Sequence, residues 1–307
     1  MNYILFINLI LFIISSVGYL ILLRFLDYKY QLNNFWFNNA LTCILSPIYM
    51  LKIIINSKNR IDFKNTFKNG SFKYIFIAGT IYSLESILVY YCLISLSLFD
   101  YIIFRSSFIV WNIPLFKYFL KKQISYIYTF AVFFLIISQL ILTKMNPDNI
   151  SIYIILFISC LISSIYNCLM EYTLKTYEID IYVYHTIFQL VYFTSSIGES
   201  IYFSDIPIFS IEITVIYIFI SILTQYYCYS RLLILKIENT ILPTNVLLAG
   251  LEFLRRIIII TFSCIFFKES YNIYSGILFC LSSFLLFYDY YKSVCKQNIH
   301  IELQEIV

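Results

Sequence analysis

The stretch FDYIIFRSSFIVWNIPLFKYFLKKQIS, residues 99–125, is long enough to cross a bilayer, yet it carries Arg105, Ser106 and Ser107 near its start. An ionisable side chain inside a spanning segment costs about 3 kcal/mol on insertion scales, so it usually faces protein or water rather than lipid. Trp111 and Pro114 follow, and Lys121–Lys122 closes the segment in a way that suits a cytoplasmic boundary. Two accounts fit. Either this helix is a wall of a solute pathway, or Arg105 merely reaches back to the headgroups along its apolar stem.

The composition around this stretch is that of an integral membrane protein. Of 307 residues 61% are hydrophobic and only 12% charged, with mean hydropathy +0.83. Soluble domains run at about 45–50% apolar and 25% charged. The net charge of +4 is small and dispersed, which argues against nucleic acid as a partner. Of eight cysteines, seven (Cys43, Cys92, Cys160, Cys168, Cys228, Cys264 and Cys280) fall inside apolar runs, and Cys295 follows them. No CxxC pair or Cys/His cluster occurs, so they read as small packing residues rather than zinc ligands or a disulfide framework. The first apolar run, Tyr3 to Leu23, lacks a preceding basic residue and a cleavage site, and is read as a retained membrane helix.

At about 20 apolar residues per span, the sequence predicts ten helices, over 3–23, 35–55, 74–95, 100–120, 124–143, 151–171, 182–203, 208–230, 241–266 and 271–291. The connection at 56–73 is the only long one. With a cytoplasmic N-terminus, twelve basic residues fall on the cytoplasmic side: Lys58, Arg60, Lys64, Lys68, Lys73, Lys121, Lys122, Lys175, Arg231, Lys236, Lys292 and Lys296. Four fall opposite: Arg24, Lys29, Lys144 and Lys268. That bias places both termini in the cytoplasm.

The chain also reads as doubled. Ser15–Ser16 recurs as Ser163–Ser164, Tyr90–Tyr91–Cys92 as Tyr226–Tyr227–Cys228, and the hairpin 120–125 as 266–270, at offsets of 148, 136 and about 146. Five helices per half is an odd number, so the halves must be inverted relative to each other, a common transporter plan with the site at their interface.

Ten helices in this arrangement resemble the drug/metabolite transporter superfamily, closest to nucleotide-sugar-transporter-like solute carriers and the chloroquine-resistance-transporter-like group. Tyr90 and Tyr91, the run ISLSLFDYIIFRSS over 94–107, the basic hairpin at 121–125, SSIYNCLMEYTLKTY over 163–177, and KES at 268–270 followed by Gly276 carry the resemblance. The chain departs from it in its scarce alanine and glycine, with Ser and Cys in their place, and in Lys122–Gln123 where an acidic residue is usual. The resemblance implies a secondary carrier in a Golgi or endoplasmic-reticulum membrane that exchanges an anionic metabolite such as a nucleotide sugar. Its other branch implies a vacuolar or lysosomal carrier of amino acids, peptides or cationic drugs.

The buried charges are weighed one by one. Glu85, midway along the third span, fits a cavity or coupling role, or a structural pair with an arginine. Glu252 and Arg256 are spaced for mutual neutralisation, which leaves Arg255 available to a ligand. Glu171 and Lys117 read as reaching to the interface, and His185 as a boundary residue. Asn38, Asn39 and Pro47 either line a cavity or bridge helices. No HExxH, GxSxG or P-loop pattern and no metal-spaced carboxylate pair occurs, so no enzyme, cofactor or metal is expected.

The reading is an all-α membrane protein of ten transmembrane helices as two inverted five-helix repeats, over 1–148 and 149–292, with a cytoplasmic tail over 293–307. Its expected activity is alternating-access exchange of an anionic small-molecule solute, and a polytopic protein that transports nothing is the remaining alternative. The expected substrate-binding residues are Arg105, Ser106, Glu85, Arg255 and Asn38. The expected partners are the solute and the lipid bilayer, with homodimerisation left open.

Overall fold

A computed structural model describes residues 3–30, 41, 44–118, 125–203, 211–241, 245–268 and 272–305. Among them there is no strand. Helix suits a chain embedded in lipid, because it satisfies its backbone polar groups within one segment. The helices are α1 (Tyr3–Tyr30), α2 (Ser46–Ile55), α3 (Ser57–Lys68), α4 (Phe72–Ser95), α5 (Leu98–Arg105) and α6 (Phe108–Tyr118). They continue as α7 (Tyr126–Met145), α8 (Ile150–Tyr177), α9 (Ile181–Phe203), α10 (Ile211–Ile241), α11 (Asn245–Phe262) and α12 (Ile273–Glu305). Five described segments are long and apolar enough to cross a membrane: Ile7–Tyr30, Phe72–Ser95, Tyr126–Met145, Pro147–Tyr177 and Ile211–Leu233.

Several boundaries differ from the sequence expectation. The connection 56–73 is not an open loop, because Asn56 caps α3 by accepting from the backbone N–H of Lys58 at 3.0 Å. The residues assigned to a connection at 231–240 continue α10, and the expected tail continues α12 as helix to Glu305. Polar residues such as Lys236 and Glu238 fit a helix as well as a loop, so a drop in hydropathy did not end either helix. Asn38, Asn39 and Lys121–Lys122 lie outside the described residues, as do the expected boundaries at 204–207 and Pro243.

The expected fourth span is broken. α5 ends at Arg105, the chain turns through Ser106 and Ser107, and α6 resumes at Phe108. Across the break the bonds tighten to i→i−3: Ser107 N–H to Phe104 C=O at 2.9 Å and Ile109 N–H to Ser106 C=O at 3.1 Å. The exposed carbonyls find side-chain donors: Cys160 Sγ on Arg105 C=O at 3.3 Å and Ser164 Oγ on Phe108 C=O at 3.0 Å. Such interruptions persist at membrane depth only where protein re-satisfies the backbone.

α1 packs along α10, and α4 along α8. α6 packs on α8, α11 on α1, and α7 on α12, while α9 lies against α4. Small polar residues sit at the close approaches. The Ser138 and Ser275 hydroxyls of α7 and α12 are 2.8 Å apart, and Ser282 donates to Ala131 C=O at 2.7 Å. This is where the sequence uses serine in place of glycine and alanine. The main buried apolar cluster joins Leu20 of α1, Leu93 of α4, Phe99 of α5, Leu135 of α7, Leu156 of α8 and Phe279 of α12. Ile14, Leu140 and Phe284 are more than half exposed on the outside. Apolar side chains on both the inner and outer faces suit a protein solvated by lipid.

Candidate binding cavity

A cavity of about 110 Å³ opens among α1, α4, α5, α6, α8, α9, α10 and α11, and none of its described lining comes from α7 or α12. Its described lining holds four arginines (Arg105, Arg231, Arg255 and Arg256) against one carboxylate, Glu85. Four against one leaves a formal excess of three positive charges. Seven tyrosines (Tyr19, Tyr82, Tyr90, Tyr101, Tyr166, Tyr192 and Tyr227) stand among the other lining residues.

Arg105 enters the cavity because it is the last residue of α5, where the helix breaks. Its Nη2 pairs with Glu85 Oε1 and donates to Ser163 Oγ at 3.3 Å. Glu85 is 2% exposed, so its charge must be met within the protein. Two alternatives of the sequence reading therefore coexist: Glu85 lines a cavity and is paired with an arginine.

Arg231 reaches in from α10. Its Nη1 donates to Tyr166 Oη at 3.1 Å and its Nη2 to Asn167 Oδ1 at 2.6 Å, which aims the guanidinium plane from both ends. Arg255 lies 5.5 Å from the Tyr227 ring centroid, and Arg256 lies 5.3 Å from that of Phe108. Both distances are in cation–π range, so these charges are partly met by ring faces rather than by carboxylates alone. The Glu252 side chain, the expected partner of Arg256, falls outside the described residues.

The structure brings together three of the five expected site residues: Arg105, Glu85 and Arg255. Ser106 is not among them. It is fully buried and its hydroxyl donates to Ile102 C=O at 2.7 Å, one turn back in its own helix, because successive residues point about 100° apart. Asn38 lies outside the described residues, and Pro47 sits exposed in the first turn of α2.

Other assignments change as well. His185 is fully buried in the second turn of α9, with its ring edge-on to Tyr229. Glu171 is 2% exposed and holds Lys175 Nζ at 2.5 Å one turn on, so its charge is met by an ion pair within the protein. Lys117 is exposed. Arg231 is the main omission. Counted as a basic loop residue, it belongs to the cavity, and the signal was the apolar run RLLIL continuing past Tyr226–Tyr227–Cys228.

No protein-family model matches the sequence, and no curated protein matches it.

Proposed function

We propose that this chain is a ten-span secondary carrier for an anionic small molecule, built as two inverted five-helix repeats and working by alternating access. The cavity charge carries the reading. Four guanidinium groups beside one carboxylate suit an anion, and arginine forks bind carboxylate or phosphate groups bidentately. The same excess disfavours cationic drugs, which would have to enter against three positive charges.

The packing supports the repeat. Take α1, α2, α4, α5–α6 and α7 as the five spans of the first half, and α8 to α12 as those of the second. Exchanging each span for its counterpart turns the α1–α10 pair into the α8–α4 pair, and the α6–α8 pair into the α11–α1 pair. The α7–α12 pair maps onto itself. The cavity lies between the halves, where inverted-repeat carriers hold their solute.

The resemblance implies a nucleotide sugar in a Golgi or endoplasmic-reticulum membrane, and the tyrosine wall offers faces on which a base stacks. At about 110 Å³ the cavity is smaller than the roughly 300–1,000 Å³ of drug-sized sites, so a nucleotide sugar requires the halves to part. A small oxyanion does not. Counterflow in proteoliposomes preloaded with nucleotide sugars, nucleotides, small oxyanions or amino acids tests the reading. Exchange of at least one anionic class, with none of a parallel set of cationic amines, is the expected result. Exchange of cations alone, or of nothing, would refute it.

A further inference from the structure

We propose that Glu85 is a resident counter-anion, which an entering anion displaces from Arg105 and which then takes up a proton. The inference rests on the anion-binding reading above and adds a coupling ion to it.

The geometry sets up a competition. Arg105 is the one basic side chain in ion-pair contact with Glu85 among the described residues, and it contributes to the cavity wall. An anion that takes the Arg105 fork therefore competes with the Glu85 carboxylate for the same nitrogen. Glu85, at 2% exposure, has no bulk water to fall back on. A buried carboxylate stripped of its partner is costly as an anion and cheap as an acid. A proton from the aqueous mouth of the cavity adds to a Glu85 oxygen, and the anion's charge replaces the carboxylate's beside Arg105. Each anion then binds together with one proton.

The surroundings leave Glu85 as the group that takes the proton. From α5 the titratable and charged groups are Tyr101 and Arg105, from α8 Tyr166 and the Cys160 thiol beside Arg105, from α9 Tyr192 and, outside the cavity wall and bonded to Ser83, Glu199, and from α1 Tyr19. Tyr82 and Tyr90 flank Glu85 on α4 itself. Across the cavity stand Arg231 on α10, with Tyr227, and Arg255 and Arg256 on α11. Arginines stay protonated and neutral tyrosines have no site for an extra proton near neutral pH. Among the described lining, only Glu85 gains a proton when the local charge becomes more negative.

The test is calorimetric titration of the purified full-length chain with inorganic sulfate, which remains a dianion near neutral pH, in buffers of different ionisation enthalpy. Wild type should take up close to one proton per sulfate bound. Its affinity should rise as pH falls, by up to about tenfold per pH unit, across the window in which Glu85 is ionised when empty and protonated when loaded. Glu85→Gln should bind sulfate at least as tightly as wild type, with no proton uptake and no pH dependence. Because the wild-type measurement stands without any variant, misfolding of Glu85→Gln does not rescue the idea. Sulfate binding by wild type with no proton uptake overturns this inference alone. An absence of sulfate binding in wild type overturns the anion site beneath it.

Discussion

Gln139 donates from Nε2 to the Ser107 hydroxyl at 2.8 Å, and the same nitrogen lies 2.9 Å from Ile103 C=O. One buried amide on α7 thus holds the last turn of α5 and the turn after it, the break that delivers Arg105 to the cavity. Gln139→Leu keeps the bulk but takes the amide donor from the Ser107 hydroxyl and leaves the Ile103 carbonyl with only its bond from the Ser106 N–H. Unmet buried groups cost about 1–3 kcal/mol each, so the purified variant should melt several degrees lower and transport less per folded molecule. An unchanged melting temperature would mean that the break supports itself.

Gly79 is the described glycine at which an added Cβ would meet its neighbours most closely. A Cβ added there would lie 2.9 Å from both Cβ and Cγ1 of Val191 on α9, and 3.2 Å from the Phe188 carbonyl. A branched Val side chain at that distance cannot swing aside, so α4 and α9 must separate. Gly79→Ala should destabilise by about 1–3 kcal/mol. Adding Val191→Ala should recover part of that loss, which thermal unfolding of the single and double variants checks.

Arg231 anchors to two acceptors at once. Lys carries one point charge and cannot bridge Tyr166 and Asn167 in the same plane. Anion affinity should fall by about tenfold or more in Arg231→Ala, the equivalent of one lost charge-assisted contact, and recover only in part in Arg231→Lys. Equal affinity in all three proteins would remove Arg231 from the binding site.

On the proposed ten-span reading, an even number of spans would put both ends of the chain on one side, and the basic bias would make that side the cytoplasm. Tags at the two termini should therefore show the same protease access in sealed vesicles. Opposite access would break the ten-span reading.

The membrane class and most helix centres were legible because apolar length is a local property. The break at Ser106–Ser107 was not. Serine is tolerated in helices, and the groups that stabilise the turn, Gln139, Cys160 and Ser164, come from distant positions in the sequence. Ser106 was assigned to the cavity from its nearness to Arg105, while direction around the helix sends it the other way. Arg231 was read as a marker of topology because a cation after an apolar run suits a boundary equally well. Glu85 and Arg105 were both picked out as costly in lipid, but their pairing needed the close packing of α4 and α5. Charge in an apolar run locates a site, and tertiary packing decides which charges share it.

The account stands on Arg105 as an anion ligand, and counterflow of an exchanged anion in proteoliposomes, normalised to folded protein, measures that directly. Wild type should exchange the anion, Arg105→Ala should do so at least about tenfold more slowly, and Arg105→Lys should remain well below wild type because one ammonium cannot reproduce the fork. Equal exchange by all three proteins would contradict the account and leave Arg105 as nothing more than the partner that neutralises Glu85.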